Sequence, residues 1–125
     1  MGELLDTNVL IRVLLGSPLP RPVERALEKA GTECYVSIVS AWEIVMKPQL
    51  RLTLSDVESG IATLGAQVLP IRISHLEALS ELPMFEHHRD PFDRLLIAQA
   101  ISEGLRMVSS DSRFPDYKKL RVLWD

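Results

Sequence analysis

Apolar and polar residues follow each other along this chain in a pattern that predicts short strands separated by helices. Short apolar runs are typical of buried strands, and longer stretches with apolar residues three or four positions apart are typical of helices. Strands are predicted at 3–5, 33–38, 67–71, 106–109 and 121–124. Because strands and helices alternate, the pattern favours an α/β fold with a mainly parallel sheet covered on both faces.

Helices are predicted between these strands, at about 7–15, 22–31, 40–47 and 55–64, in a short segment from 74, and at 91–104. The first of them is apolar on nearly all sides and is expected to be buried. The last has the clearest boundaries, since Asp90 suits an N-cap, Pro91 the first helical position and Gly104 the end. Asp93 lies in its first turn on an otherwise apolar face, where a carboxylate is costly to bury without a cation.

Length and composition indicate one globular domain spanning 1–125. The net charge of -3 argues against a surface that is basic overall, but it allows an acidic metal pocket beside a local basic rim. Cys34 is the only cysteine, which excludes a disulfide framework and a thiolate metal cluster. We find no signal-peptide pattern and no apolar run near the roughly 18 residues of a membrane span, so we expect a cytoplasmic protein.

Four acidic residues lie at equivalent places in the predicted pattern. Asp6 ends the first strand, Glu43 follows the second strand in the first turn of a helix, Asp93 opens the helix from 91, and Asp111 follows the strand 106–109. Such junctions meet at one edge of a parallel sheet, where each close pair of carboxylates repels by roughly 1 to 4 kcal/mol. A divalent cation would neutralise them. An all-oxygen ligand set suits Mg²⁺ or Mn²⁺ and the hydrolysis of phosphodiesters by metal-activated water.

Each acid also has a structural interpretation, which remains open from the sequence. Asp6 suits a helix N-cap, Glu43 completes a capping-box spacing, and Asp111 suits a turn. Asp93 complements the helix dipole and caps back toward Asp90. For Asp90 itself capping is the preferred role, with metal or water binding at the rim second. Four acids in register nevertheless favour a shared site over four separate structural roles.

Four segments resemble the motifs of PIN-domain proteins, and in particular the VapC-like toxins of bacterial toxin–antitoxin pairs. The segments are 4–11, 37–47, 89–100 and 109–114, and the most specific string is Asp-Pro-Phe-Asp-Arg-Leu-Leu-Ile-Ala-Gln-Ala at 90–100. The resemblance extends over essentially the whole chain. It implies a three-layer α/β/α fold and a Mg²⁺-dependent endoribonuclease.

The resemblance also implies roles for individual residues and partners. The acidic quartet would be Asp6, Glu43, Asp93 and Asp111, with Asn8 orienting a carboxylate or water. Proteins of this family are usually homodimers, and a cognate antitoxin silences them by placing its C-terminal segment in or over the acidic groove.

Basic and aromatic residues near the acids have less certain roles. Arg94 and Arg113 are the closest in sequence and are candidates to hold RNA phosphates, although a surface ion pair is an equal alternative. His87 and His88 suit a solvated loop better than phosphate or metal binding. Trp42 suits the core or a dimer contact better than base stacking.

Two other functions are consistent with parts of the pattern. A PIN-like binding or scaffold module would keep the fold and its acids without activity. A phosphatase with Asp6 as nucleophile is disfavoured, because Asn8 stands where such an enzyme needs a second aspartate. Loss of cleavage on metal removal would separate the nuclease from the binding module.

Overall fold

The strands form one five-stranded sheet in the computed structural model, which describes residues 2–125. They are β1 Glu3–Leu5, β2 Cys34–Ser37, β3 Gln67–Leu69, β4 Arg106–Val108 and β5 Val122–Leu123. The spatial order is β3-β2-β1-β4-β5, and every pairing is parallel. The predicted sheet is therefore confirmed, with the later strands one or two residues shorter than the sequence pattern indicates.

Within residues 2–125, six α-helices connect and cover the strands. They are α1 Thr7–Leu14, α2 Arg21–Ala30, α3 Ile38–Val45, α4 Leu54–Leu64, α5 Ile73–Ser80 and α6 Pro91–Glu103. The predicted ends of α6 are confirmed: the Asp90 carboxylate accepts hydrogen bonds from the backbone N–H groups of Phe92 and Asp93, and Gly104 ends the helix at φ 68°. A glycine suits this left-handed position because it has no Cβ.

The start of α3 differs from the prediction. The Ser37 hydroxyl accepts a hydrogen bond from Val39 N–H at 2.9 Å and caps the helix three residues before Ser40. Glu43 therefore lies in the second turn and has no capping-box role with Ser40. The cap of α5 also differs, because His75 Nδ1 accepts the hydrogen bond from Arg72 N–H at the helix start.

Side chains of β1 and β4 alternate between two apolar cores, one on each face of the sheet. Leu4 and Met107 pack with α6, whereas Leu5 and Val108 pack with α1 and α4. Such alternation is the consequence of strand geometry. It confirms the predicted three-layer α/β/α arrangement.

The two faces are covered to different extents. The central part of α6 is buried over seven consecutive residues, 94–100. In contrast, α1 is only half-buried over 11–14, so the prediction of a helix buried on nearly all sides is wrong. No helix within residues 2–125 is both long enough and apolar enough to cross a membrane.

Candidate active site

Asp6 lies at the carboxyl end of the central strand β1 and is 2% exposed. One carboxylate oxygen accepts a hydrogen bond from Thr7 N–H at 2.8 Å, and the other accepts one from the Ser109 hydroxyl at 2.8 Å. Burial raises the pKa of Asp6 to about 7; the charges of Asp93 and Asp111 add to this rise, and the two hydrogen bonds oppose it. Asp6 therefore caps α1, as one interpretation predicted, and also faces two further carboxylates.

Asp93 lies in the first turn of α6, where its side chain meets charges from other elements. Burial raises its pKa, and the negative charges of Asp90 and Glu43 contribute in the same direction. A hydrogen bond between Asp93 Oδ2 and His88 Nε2, 3.1 Å long, opposes the rise. The electrostatic interactions link Asp93 to Glu43 on one side and to Asp6 on the other.

Glu43 is buried, and its two carboxylate oxygens have different surroundings. Oε2 accepts a hydrogen bond at 2.8 Å from the Nζ of Lys47, which lies four residues later, just past the end of α3. Oε1 is fully buried and has no hydrogen-bond partner within residues 2–125. A buried carboxylate oxygen without a donor is energetically costly, and a bound cation would satisfy it.

Asp111 follows β4 in a tight turn and is paired with Arg113. The guanidinium donates to both carboxylate oxygens, from Nε at 3.0 Å and from Nη2 at 2.7 Å, and lowers the pKa of Asp111. Arg113 Nη2 is also 3.8 Å from Asp93 Oδ2. One guanidinium thus lies between two of the acids.

Pairwise electrostatic interactions link the four predicted acids, since Asp6 interacts with Asp93 and Asp111, and Asp93 interacts with Glu43. Ligand atoms of His88, Asp93 and Asp111 lie within 4.8 Å of one another, a spacing that one ion can bridge. The oxygen-rich donor set and the orphaned Glu43 oxygen fit a hard divalent cation. The residues present therefore fit the metal that the sequence suggests.

His88 is the residue of this site that sequence reasoning missed. It is completely buried, and its Nδ1 lies 2.9 Å from the Tyr117 hydroxyl while Nε2 lies 3.1 Å from Asp93. The expectation of a solvated loop is therefore wrong for His88, although it is confirmed for the exposed His87, whose ring meets Asp116. The only sequence signal was position, two residues before the N-cap of α6.

The remaining predicted residues lie around the acids in different ways. Asn8 is exposed in the first turn of α1, next to Asp6, and Asp90 is exposed at the start of α6. Arg94 is buried, and its Nη1 donates to the Pro83 carbonyl at 2.8 Å and to the Tyr117 hydroxyl at 3.1 Å. An RNA-phosphate contact does not fit this burial, because the guanidinium already bonds inside the protein.

A profile of the PIN domain family matches residues 4–120 of the chain. In fold, the chain is similar to one in the VapBC2 complex of Rickettsia felis bound to a DNA fragment from its promoter, with a TM-score of 0.75, 16% identity and 100% of both chains covered. For DNA-bound VapBC from Salmonella typhimurium the TM-score is 0.68 and the sequence identity 19%, and the match covers 98% of this chain and 97% of the other. For a toxin–antitoxin complex from Klebsiella pneumoniae the TM-score is 0.64 and the sequence identity 20%, and the match covers 90% of this chain and 88% of the other. The chain has no match among curated protein sequences.

The structural likenesses establish the fold alone at these identities. The family profile begins in β1 and ends just before β5, so it includes every acid of the site. The residues that carried the resemblance in the sequence lie within the same span. The chain belongs to the PIN domain family.

Proposed function

We propose that this protein is a metal-dependent endoribonuclease that serves as the toxin of a VapBC-type toxin–antitoxin pair. PIN domains are generally nucleases, and family membership supports a hydrolase. The observation that carries the proposal is the acid cluster of Asp6, Glu43, Asp93 and Asp111, in which Asp6 and Glu43 are buried and Glu43 Oε1 has no hydrogen-bond partner within residues 2–125. Within residues 2–125, Lys47 forms an ion pair with Glu43, and Arg113 forms ion pairs with Asp93 and Asp111. The cluster keeps an excess of negative charge that a divalent cation would offset.

Asp6 and Asp93 are proposed as the principal metal ligands, with Glu43 and Asp111 completing the site directly or through water. Mg²⁺ is the preferred ion and Mn²⁺ is a second choice, since both favour oxygen ligands. When bound, such an ion supplies an activated water and stabilises the charge of the leaving oxygen. The hydroxyl of Ser109 and the backbone N–H of Thr7 hold the Asp6 carboxylate in place.

Substrate contacts are proposed at the exposed rim of the cluster. Arg113 is part-exposed and presents a guanidinium, which suits a phosphate of RNA. Asn8 is exposed beside Asp6 and suits the orientation of a water or carboxylate. Asp90 caps α6 and contributes negative charge at the rim.

A cognate antitoxin is the proposed protein partner. The structures that this chain is similar to include complexes described as VapBC or as a toxin–antitoxin pair, which supports such a partner. Pairs of this kind act in the cytoplasm, which we propose as the location. The single domain expected from length is part of the same proposal.

A second copy of the chain is proposed on the outer side of α3. Ile38, Trp42, Val45 and Met46 are exposed large apolar residues there, so the core role considered for Trp42 is wrong. Trp42 is 50% exposed, and its ring packs edge-on against Phe92 with the ring centroids 4.7 Å apart. Contiguous exposed apolar area of this kind marks protein interfaces.

We expect Met46→Glu to convert a dimer to a monomer, as judged by the molar mass from light scattering. Ser102→Glu, at an exposed position of α6, should leave the molar mass unchanged.

The test of the nuclease is cleavage of total cellular RNA by antitoxin-free protein, with Mg²⁺ or with EDTA. We expect discrete fragments from the wild type with metal and none from Asp93→Asn or after metal removal. His87→Gln is the matched control, because His87 is exposed and bonds Asp116 rather than the acid cluster. Folded protein that binds Mg²⁺ but cuts no RNA would overturn the nuclease and favour the binding-module alternative.

A further inference from the structure

A chain of hydrogen bonds connects the protein core to the acid cluster. Arg94 Nη1 lies 3.1 Å from the Tyr117 hydroxyl, which lies 2.9 Å from His88 Nδ1. His88 Nε2 in turn lies 3.1 Å from Asp93 Oδ2. Arg94, Tyr117 and His88 are all buried, so water does not compete for these hydrogen bonds.

The donors and acceptors at the two ends fix the direction of the chain. A guanidinium has only donors, so the Tyr117 oxygen accepts from Arg94. Asp93 must be ionised to bind a metal, and an ionised carboxylate has only acceptors, so in the metal-binding state His88 Nε2 carries a hydrogen toward Asp93. In a neutral ring with its hydrogen on Nε2, the Nδ1 lone pair accepts the hydroxyl hydrogen of Tyr117. Each bond therefore supports the same arrangement of the His88 ring.

This arrangement decides between two roles for His88. Its Nε2 lies close enough to Asp93 and Asp111 to be counted among possible metal ligands. A metal ligand needs a free lone pair on that nitrogen, whereas the nitrogen here bears a hydrogen. We propose that His88 is a positioning residue that holds the Asp93 carboxylate for the metal and is itself not a ligand. The inference rests on the proposed metal-dependent function of the site.

The consequence is a metal site made of oxygen ligands alone. Imidazole favours zinc, copper and nickel, whereas carboxylate and water favour magnesium and manganese. By keeping its lone pair out of the site, His88 preserves the preference for hard ions. Groups that orient a metal ligand from behind typically change metal affinity by about 10- to 100-fold when removed.

Nitrogen-15 NMR of the histidine rings tests the proposal directly in the full-length protein. We expect His88 Nε2 to carry a hydrogen both without metal and with saturating Mg²⁺, and Tyr117→Phe to perturb the Nδ1 signal. Loss of the Nε2 hydrogen when Mg²⁺ binds would overturn the positioning role. If the wild type binds no Mg²⁺, the proposed function fails. The presence or absence of the hydrogen on Nε2 in the metal-free protein still tests the hydrogen bonds from Arg94 through Tyr117 and His88 to Asp93.

Calorimetric titration with Mg²⁺ alone provides the second measurement. His88→Leu should weaken binding by about 10- to 100-fold, and His88→Gln should recover part of that loss because its amide N–H group can donate to Asp93. His87→Gln should bind as the wild type does. Unchanged affinity in a folded His88→Leu protein would overturn the proposal, as would equal losses in both His88 variants. Tyr117→Phe keeps the ring packing and tests the same chain if a His88 variant fails to fold.

Discussion

The two ends of β1 each carry a buried carboxylate, and the two are treated in opposite ways. Glu3, 5% exposed, accepts hydrogen bonds from Arg106 of the neighbouring strand at 3.0 and 3.1 Å. Asp6, three residues later, has a hydroxyl and a backbone N–H as partners and faces Asp93 and Asp111. Glu3 is thus neutralised by a guanidinium, whereas the partners of Asp6 are uncharged and its carboxylate neighbours are negative, so its ionised form needs a cation. This difference separates a structural acid from a candidate catalytic one.

Substitutions of Asp6 and Glu3 should differ most in their effect on activity. Asp6→Asn removes a proposed metal ligand while an amide oxygen can still cap α1, so we expect Mg²⁺-dependent RNA cleavage to fall by at least about 100-fold, on the scale of the loss of a metal ligand or its support. Glu3→Gln should leave cleavage per folded molecule unchanged. A gel-based assay with both variants measures this. Equal activity of Asp6→Asn and wild type would remove Asp6 from the site.

The same pair of variants should change stability in opposite directions. At pH 8 in EDTA, Asp6→Asn should be about 1–4 kcal/mol more stable than wild type, because one pKa unit corresponds to about 1.4 kcal/mol and the pKa of Asp6 is raised from 3.8 to about 7. Glu3→Gln should be less stable by about 1–3 kcal/mol, since the partly buried Arg106 loses its partner. Urea unfolding gives both values. A loss of stability in Asp6→Asn as well as in Glu3→Gln would contradict the distinction between a structural acid at Glu3 and a candidate catalytic acid at Asp6.

The pH dependence of the metal-free protein follows from the same raised pKa. A folded state that binds the Asp6 proton more tightly than the unfolded chain gains stability below about pH 4 and loses it as the pH rises toward 7. We expect the urea concentration at the unfolding midpoint, measured in EDTA, to decrease as the pH is raised from about 4 to about 7, and Asp6→Asn to flatten that profile. Mg²⁺ should reverse the fall, because it binds the ionised acid. Superimposable profiles for the two proteins would exclude Asp6 as the titrating group.

The smallest expected effect is at Arg113, which acts as an internal cation between Asp111 and Asp93. Arg113→Ala should strengthen Mg²⁺ binding by about 2- to 10-fold and weaken RNA binding by about 10-fold, the size of one phosphate contact. Calorimetry and fluorescence anisotropy measure the two separately. Arg25→Ala, on the exposed side of α2, is the control. Weaker binding of both ligands would mean that Arg113 only supports the local turn.

Features set by local chemistry were predictable from the sequence. The boundaries of α6 follow from Asp90, Pro91 and Gly104, which act within a few residues of each helix end. The strands and their parallel direction follow from the alternation of short apolar runs with helices. The four acids were predicted as a set because each follows a strand or opens the next helix.

Features set by distant contacts were not predictable. His88 is buried because Tyr117, 29 residues later, bonds its ring, and nothing near His88 in the sequence indicates this partner. Arg94 is held by the same tyrosine, so its proximity to Asp93 in sequence suggested an RNA contact that its burial does not fit. Ser37 caps α3 in place of Ser40 because the strand ends directly in the helix.

Because β1 is central in the sheet and pairs with β4, the site can form only after β4 has been synthesised. The hydroxyl that holds Asp6 belongs to Ser109, which is synthesised 103 positions later, and Arg106 follows Glu3 by the same interval. A chain released by the ribosome before β4 lacks both partners and Asp111. Nascent or truncated chains that end before β4 therefore cannot assemble the acid cluster, and the proposed toxicity begins only after β4 and Asp111 have been synthesised.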